Sequence, residues 1–369
     1  MIVSGKPLSV FVIGTRAQLI KVAPVIVACE QRGLPVCLLM TGQHKETMQD
    51  LVEEFGIGSP QEVAVVASER STVFSLLAWI PRALHGLVKR LCPLRDSGAA
   101  SRVIVHGDTM SAVLGAIAAR LCGISVVHLE SGLTSHRLFD PFPEEMARRI
   151  VFRLTDIALC PSAESAEHMR RSGYRCEVVD TGENTIVDSV LIATRGAPAL
   201  PEDAAARPYL VASLHRFQNI FDRKRLQFLV SQLGKVSQRF RIHFVLHPAT
   251  RKRLESQGLL AELASYPNIN LSPRLGYAEF LRLAAGAVCV LTDGGSNQEE
   301  LAVLGVPTIV MRQATERLDG LGSNALMEAD VGPSLAEYML SDGFNALRRP
   351  SRVKNSMGPS NLVADLLAS

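Results

Sequence analysis

Two short motifs place a histidine and a carboxylate two residues apart: His106-Gly107-Asp108 and His128-Leu129-Glu130. Each follows a β-rich run, Val103–Val105 and Ser125–Val127, and the stretch between them has the pattern of an amphipathic helix. That is a strand–helix–strand unit with polar residues at both strand ends. In a doubly wound α/β sheet helices cover both faces, so ligands bind at the carboxyl ends of the strands. Residues at i and i+2 share one strand face, so both pairs could point into one site. The same residue types would suit a metal ion. No dense metal signature such as HExxH is present, and paired carboxylates for acid/base work are the better reading.

A third carboxylate follows in Pro141-Phe142-Pro143-Glu144-Glu145. Two prolines would hold Glu144 with little conformational freedom, as a catalytic carboxylate requires. Acidic residues in a first helical turn also serve the helix dipole alone. Gly14-Thr15-Arg16, with Lys21 beyond it, puts two cations and backbone N–H groups at a strand-to-helix junction. That junction reads equally as a phosphate site or as a tight turn with solvated cations. Thr292-Asp293-Gly294-Gly295-Ser296 favours phosphate more strongly. Its glycines let an anion approach the backbone, and Ser296 can cap the following helix or bind a phosphate oxygen. Glu299 and Glu300 are expected in the first turn of that helix, where they complement its dipole, and Glu300 could also accept from a ribose. His215-Arg216 ends the first strand of the second half, whereas His247-Pro248 and Thr315-Glu316-Arg317 are polar punctuation to which the residues alone assign no role. The absence of a GxSxG elbow and of a Walker loop argues against a serine hydrolase and a P-loop NTPase.

The elements that would position these residues form an α/β series. Strands are expected at Leu8–Ile13, Val36–Met40, Asp156–Cys160 and Cys176–Val179, and in the second half at Tyr209–Leu214, Ile242–Leu246, Val288–Leu291 and Thr308–Met311. Helical patterns cover Glu69–Arg90, Ala163–Arg171, Glu183–Thr194, Arg223–Phe240 and Gln298–Leu304. The 369 residues exceed what one core usually fills. They divide into a first domain over 1–185, a linker over 186–208 with its breakers in Gly196–Pro208, a second domain over 209–350, and a tail over 351–369 ending in a helix at Asn361–Leu367. A net charge of +3 argues against nucleic acid as a partner, and no run approaches the length of a membrane span. The seven cysteines are scattered without a CxxC pair and are expected to be reduced and buried in a cytoplasmic protein.

In order along the chain, GTRAQLIK (14–21), TGQH (41–44), HGDT (106–109), HLESGL (128–133), PFPEE (141–145), HR (215–216), TDGGSNQEE (292–300) and TER (315–317) resemble the UDP-N-acetylglucosamine 2-epimerase family. The resemblance implies the GT-B fold, two Rossmann-like domains facing across a cleft that holds a UDP-sugar, with no cofactor, no metal and a homodimeric assembly. It implies that Asp108, Glu130 and Glu144 are the acid/base group and that His215 assists the departing diphosphate. Arg16 and Lys21 would touch phosphate or sugar, Gln43 and His44 lie in a loop used for ligand, and Arg216, His247 and Arg317 fall in the binding set. Gly294, Gly295 and Ser296 would hold phosphate, Glu300 the ribose, and Phe280 would lie near the uracil. The tail helix would pack back on the first domain.

Several positions depart from the family's pattern. GTRPE becomes Gly14-Thr15-Arg16-Ala17-Gln18, the arginine after HLESGL becomes Thr134, HRREN becomes His215-Arg216-Phe217-Gln218-Asn219, and SGG becomes Gly294-Gly295-Ser296. The carboxylates stay while their surroundings change, which fits the same chemistry on another sugar. Two other readings keep the same donor site: a GT-B glycosyltransferase, and a non-catalytic nucleotide-sugar-binding protein.

Overall fold

The computed structural model describes residues 7–42, 48–65, 73–98, 100–137, 142–195, 208–313, 315, 318–332 and 334–369. Gln43, His44, Pro141, Arg317 and most of the expected linker, residues 196–207, lie outside the described residues.

Val10, Phe11, Val12 and Ile13 are all fully buried, as expected of a strand covered by helices on both faces. That strand, β1 (Leu8–Ile13), lies inside the first sheet, between the strands Val36–Met40 and Ala100–His106. The others are β2 (Val36–Met40), β3 (Gln61–Val63), β4 (Ala100–His106), β5 (Ser125–Leu129), β6 (Ile157–Cys160) and β7 (Glu177–Asp180). Among the described residues they pair in parallel in the order β3-β2-β1-β4-β5-β6-β7. The winding reverses between β1 and β4, the crevice where such sheets bind ligands.

The second sheet repeats the plan with β8 (Tyr209–Ser213), β9 (Arg241–Leu246), β10 (Ile269–Pro273), β11 (Cys289–Thr292), β12 (Thr308–Val310) and β13 (Ala325–Met327). All pair in parallel, in the order β10-β9-β8-β11-β12-β13, with the reversal between β8 and β11. Each sheet has its own core. Val10, Leu39, Trp79, Val105 and Val126 belong to the first, and Leu210, Phe244, Leu291 and Phe344 to the second.

The chain divides into one compact unit made of 1–189 with 356–369, and another made of 190–355. Residues 186–194, placed in the linker by the domain division but covered by the expected helical pattern Glu183–Thr194, form the helix Ile186–Thr194. Asn184 Oδ1 accepts the Ile186 N–H at 3.0 Å there, giving the helix a polar start. The final helix, Pro359–Ala368, belongs to the first unit. Arg32 bonds Asp365 at 2.7 Å and Asn361 at 3.0 Å, Arg102 reaches the Leu366 carbonyl at 3.0 Å, and Asp188 accepts the Gly358 and Ser360 N–H groups. Short elements with weak apolar patterning, namely β3, β13 and the helices Pro248–Ser256 and Leu259–Ser265, were not expected from the sequence.

One cysteine expectation is corrected. Cys92 and Cys122 form a disulfide, with Cα atoms 5.0 Å apart. Cys92 lies near the end of the helix Val73–Asp96 and Cys122 is the C-cap of the helix Met110–Leu121, so neighbouring helix ends bring together residues 30 apart in sequence. Cys29, Cys37, Cys160, Cys176 and Cys289 are free. No helix among the described residues is long and apolar enough to cross a membrane.

Candidate active site

Three turns meet where β1, β4 and β5 end. The first is built on Gln18, whose side-chain oxygen accepts the N–H groups of Gly14 at 2.9 Å and Thr15 at 3.2 Å, while its amide donates to the His106 carbonyl at 2.7 Å. The N–H groups of Gly14 and Thr15, for which a phosphate site was one of two equal readings, are therefore used within the fold. A carboxylate at 18 could accept the same two N–H groups but would turn its other oxygen on a carbonyl oxygen, so the amide suits this position. Gly14 has no alternative: a Cβ there would fall 1.8 Å from Ser111 Oγ.

The cations of this segment are also committed. Arg16 makes a two-pronged pair with Asp50, at 2.5 and 2.8 Å. Lys21, only 3 % exposed, places Nζ 2.5 Å from Glu130 Oε1. Asn184 Nδ2 donates to that same oxygen at 2.8 Å, and His106 Nε2 lies 3.5 Å from Oε2. Glu130 has φ +60°, a conformation that non-glycine residues rarely adopt, and Gly107 opposite it has φ +63°. Asp108 and Glu130 thus sit in turns beyond the strands, and the alternation that could aim both His–carboxylate pairs into one face does not reach them. His106 meets Glu130, whereas His128 lies fully buried with Nε2 2.9 Å from the Gly107 carbonyl. Burial pushes the His128 ring down to about 4, with the charge of Arg148 adding to this and the Gly107 contact and Glu130 partly opposing it. His128 is a neutral strut under the turn.

Asp108 turns to Arg148, whose Nη2 lies 2.5 Å from Oδ2. Arg148 also touches Glu145 at 3.4 Å, and Arg149 does so at 3.1 Å. Glu145 is fully buried, and Thr134 Oγ1 donates to it at 2.7 Å and the Ser135 N–H at 3.1 Å. Burial alone would raise its carboxyl, but the bonds from Thr134, Ser135 and Arg149 and the charge of Arg148 hold it below the ordinary range. The second glutamate of the pair is therefore structural, and Thr134 has a definite task in this chain. Glu144 opens the helix Glu144–Leu154 one turn before Arg148, on the same helix face. Its Oε2 is buried and has no hydrogen-bond partner among the described residues.

In the second unit the hub is Asp293, also fully buried. It accepts the N–H of His215 at 3.0 Å, that of Arg216 at 2.9 Å and Asn219 Nδ2 at 2.8 Å, and it lies 3.2 Å from His215 Nδ1. Thr292 Oγ1 accepts from the Gly294 N–H and from Asn297 Nδ2, each at 3.1 Å. The helix Gly295–Leu304 begins after Gly294 with no side-chain cap, so Ser296 stands in its first turn and does not cap it. A Cβ on Gly294 would lie 3.3 Å from both His215 and Asn297. Because the helix starts at Gly295, Glu299 and Glu300 fall beyond its first turn and are buried, which removes the dipole role expected of them. The rings of His247 and His215 are 5.5 Å apart. His247 Nδ1 accepts the Ala249 N–H at 3.4 Å, and burial, with the charges of His215 and Arg274, lowers its pKa. Phe280 is half-buried on the helix Tyr277–Ala285. Among the described residues no cluster of three or more His, Cys, Asp or Glu side chains could hold a metal ion.

The sequence model described as UDP-N-acetylglucosamine 2-epimerase matches residues 27–337, most of the chain. The chain belongs to the UDP-N-acetylglucosamine 2-epimerase family. This family member is 29% identical over 362 residues to the UDP-N-acetylglucosamine 2-epimerase of Methanococcus maripaludis, covering 95% of this chain and 94% of the relative. It is 28% identical over 325 residues to the UDP-2,3-diacetamido-2,3-dideoxy-D-glucuronate 2-epimerase of Pseudomonas aeruginosa, covering 86% and 87%. The Methanocaldococcus jannaschii UDP-GlcNAc 2-epimerase, solved in complex with UDP-GlcNAc and UDP, superposes with a TM-score of 0.72 at 26% identity over 98% of this chain and 99% of that one. The expected GT-B class, two Rossmann-like domains, is the fold observed.

Asp108, Glu130 and Glu144 were legible as candidates in the sequence. Of the residues that hold the site in shape, Gln18 and Asn219 were named only as part of departures from the family pattern, Glu145 and Asp293 only as members of motifs, and Asn184 and Arg148 not at all. Asp293 carried the same signal as Asp108, a carboxylate directly after a buried β-run. Asn184 carried a helix-cap signal.

Proposed function

We propose that this chain is a nucleotide-sugar 2-epimerase acting on UDP-GlcNAc or a related UDP-2-acetamido sugar. The observation that carries the reading is the division of labour among three carboxylates. Glu130 is held by Lys21 and Asn184, Asp108 is held by Arg148, and Glu144, one helical turn from Arg148, keeps a buried oxygen without a partner among the described residues. Inversion at C2 needs a carboxylate to take the C2 proton and an acid to return it on the opposite face. As the proton leaves, the C1–O bond to UDP breaks and its electron pair goes to the diphosphate, giving a 2-acetamidoglucal. Re-addition of UDP with protonation at C2 gives the epimer, and addition of water in its place gives free sugar and UDP. Within the second unit, the uncapped start of Gly295–Leu304, Ser296 and His215, which Asp293 positions, are the groups suited to a diphosphate.

The P. aeruginosa relative is named for a diacetamido uronate, so the sugar is to be decided among UDP-2-acetamido sugars. Homodimeric assembly and a cytoplasmic location belong to the same proposal, the first being read by light scattering. Proton NMR of UDP-sugars in D2O with purified protein tests the activity. The expected result is loss of the H2 signal with appearance of the 2-epimer, or of free sugar and UDP. No deuterium at C2, no UDP and no epimer from any of these sugars would overturn the reading.

A further inference from the structure

Glu130 stands out because its two oxygens are treated differently. Oε1 receives both Lys21 Nζ at 2.5 Å and Asn184 Nδ2 at 2.8 Å, whereas Oε2 faces His106 Nε2 at 3.5 Å and the Cα of Gly107, where an added Cβ would lie 3.3 Å away. A largely covered carboxylate, 11 % exposed, with a left-handed backbone is costly unless its surroundings fix it. Lys21 supplies the charge for this. Asn184 supplies direction, because its other end is itself tied down. Its Oδ1 accepts the Ile186 N–H at 3.0 Å and so opens the helix Ile186–Thr194. An asparagine is the residue that can do both. An aspartate keeps the helix start but turns an oxygen against Glu130, and a serine keeps a hydroxyl acceptor but cannot span to the carboxylate.

We propose that Asn184 is a positioning residue for Glu130, saturating Oε1 together with Lys21 so that Oε2 is the oxygen that exchanges a proton during turnover. This rests on the epimerase reading for its catalytic consequence, but not for its structural part. Among the described residues the charged or titratable groups facing Glu130 include Lys21 from the helix Arg16–Gln31, His106 from β4 and, through its charge, His128 from β5.

Two variants test it. Asn184→Ser retains a helix-start acceptor and removes the donor, and is expected to lower kcat for C2 exchange at least about tenfold with KM within about threefold. Asn184→Asp places a like charge against Glu130 and is expected to displace the acid limb of the kcat profile upward by about one pH unit. The same displacement is read without turnover by carboxyl 13C NMR titration, with the Glu130 signal identified by its loss in Glu130→Gln. A serine variant with wild-type kcat, or an effect confined to KM, overturns the positioning role, and so does an aspartate variant whose Glu130 titration does not move. Absence of C2 exchange in the wild-type protein removes the epimerase reading instead, and the NMR titration still decides the role of Asn184. Should Asn184→Asp not fold, the serine variant decides through kcat and through release of the Glu130 titration from its wild-type midpoint.

Discussion

Arg148 lies 2.5 Å from Asp108 and 3.4 Å from Glu145, so one guanidinium spans a candidate catalytic carboxylate and a structural one. Glu145 keeps Arg149, Thr134 and Ser135 if Arg148 is removed, whereas the ion pair that holds Asp108 is lost. Arg148→Met is therefore expected to leave the helix Glu144–Leu154 folded while releasing Asp108. The expected loss is about 100-fold in kcat, as for other displacements of a reacting group by an ångström or so. Steady-state kinetics beside a thermal melt checks this, and an unchanged kcat would show that Asp108 does not depend on Arg148.

Gly14 is where two elements approach most closely at the site. A Cβ there would fall 1.8 Å from Ser111 Oγ and 2.5 Å from Ser111 Cβ, so Gly14→Ala must push apart the turn after β1 and the start of the helix Met110–Leu121. Overpacking of this kind costs roughly 1–3 kcal/mol. Adding Ser111→Gly removes both clashing atoms and is expected to return part of the loss in urea denaturation. A fully stable single variant would mean that the two elements can part freely.

The strands were legible because parallel strands buried on both faces print as unbroken apolar runs, and polar residues such as Asp108 and Asp293 mark where they stop. The supports of the site were not, because their partners are far apart in the chain. Lys21 meets Glu130 across 109 residues and His215 meets Asp293 across 78. Local pattern carries no record of such pairings. Lys21 at a strand-to-helix junction therefore looked like a phosphate ligand, and Thr134 looked like the loss of a cation. In the fold Thr134 donates to Glu145 and Arg148 and Arg149 bring the charge, so the substitution is accommodated locally. The start of the helix at Gly295 likewise decides what Ser296, Glu299 and Glu300 can do, and helix ends are what periodicity fixes least well.

His128 gives a pH dependence with a definite sign. In the unfolded chain its ring takes a proton near 6.5, while in the folded protein burial holds it neutral down to about 4. The unfolded state then binds the extra proton over that window, so the stability present above 6.5 is lost progressively as pH falls from 6.5 toward 4. His247, also lowered by burial, acts in the same direction. His128→Gln keeps a donor for the Gly107 carbonyl and removes the titration. Its melting temperature is expected to fall less steeply than that of the wild type across this window. Parallel curves would remove His128 from the account.

Asp293 supplies the strongest test in the second unit. Its carboxylate is fully buried and receives two backbone N–H groups and the Asn219 amide, which in turn donates to the Met311 carbonyl at 2.8 Å and accepts from Arg225 Nε at 3.1 Å. Asp293→Asn replaces one acceptor oxygen by an N–H₂ that must face donors already in place. Hydrogen bonds to a charged group are worth about 1.5–3 kcal/mol each, so a stability loss of that order is expected in chemical denaturation. The loop bearing His215 and Arg216 should shift with it, since both N–H groups hang on this side chain. Calorimetric titration with UDP is then expected to show at least about tenfold weaker binding, as a cradle of oriented donors loses its reference point. Asn219→Ala removes only one of the donors and leaves the carboxylate, so it should weaken UDP binding less. Equal UDP affinity in the wild type and Asp293→Asn would mean that the turn Thr292–Ser296 and the His215 loop are held by something other than this carboxylate.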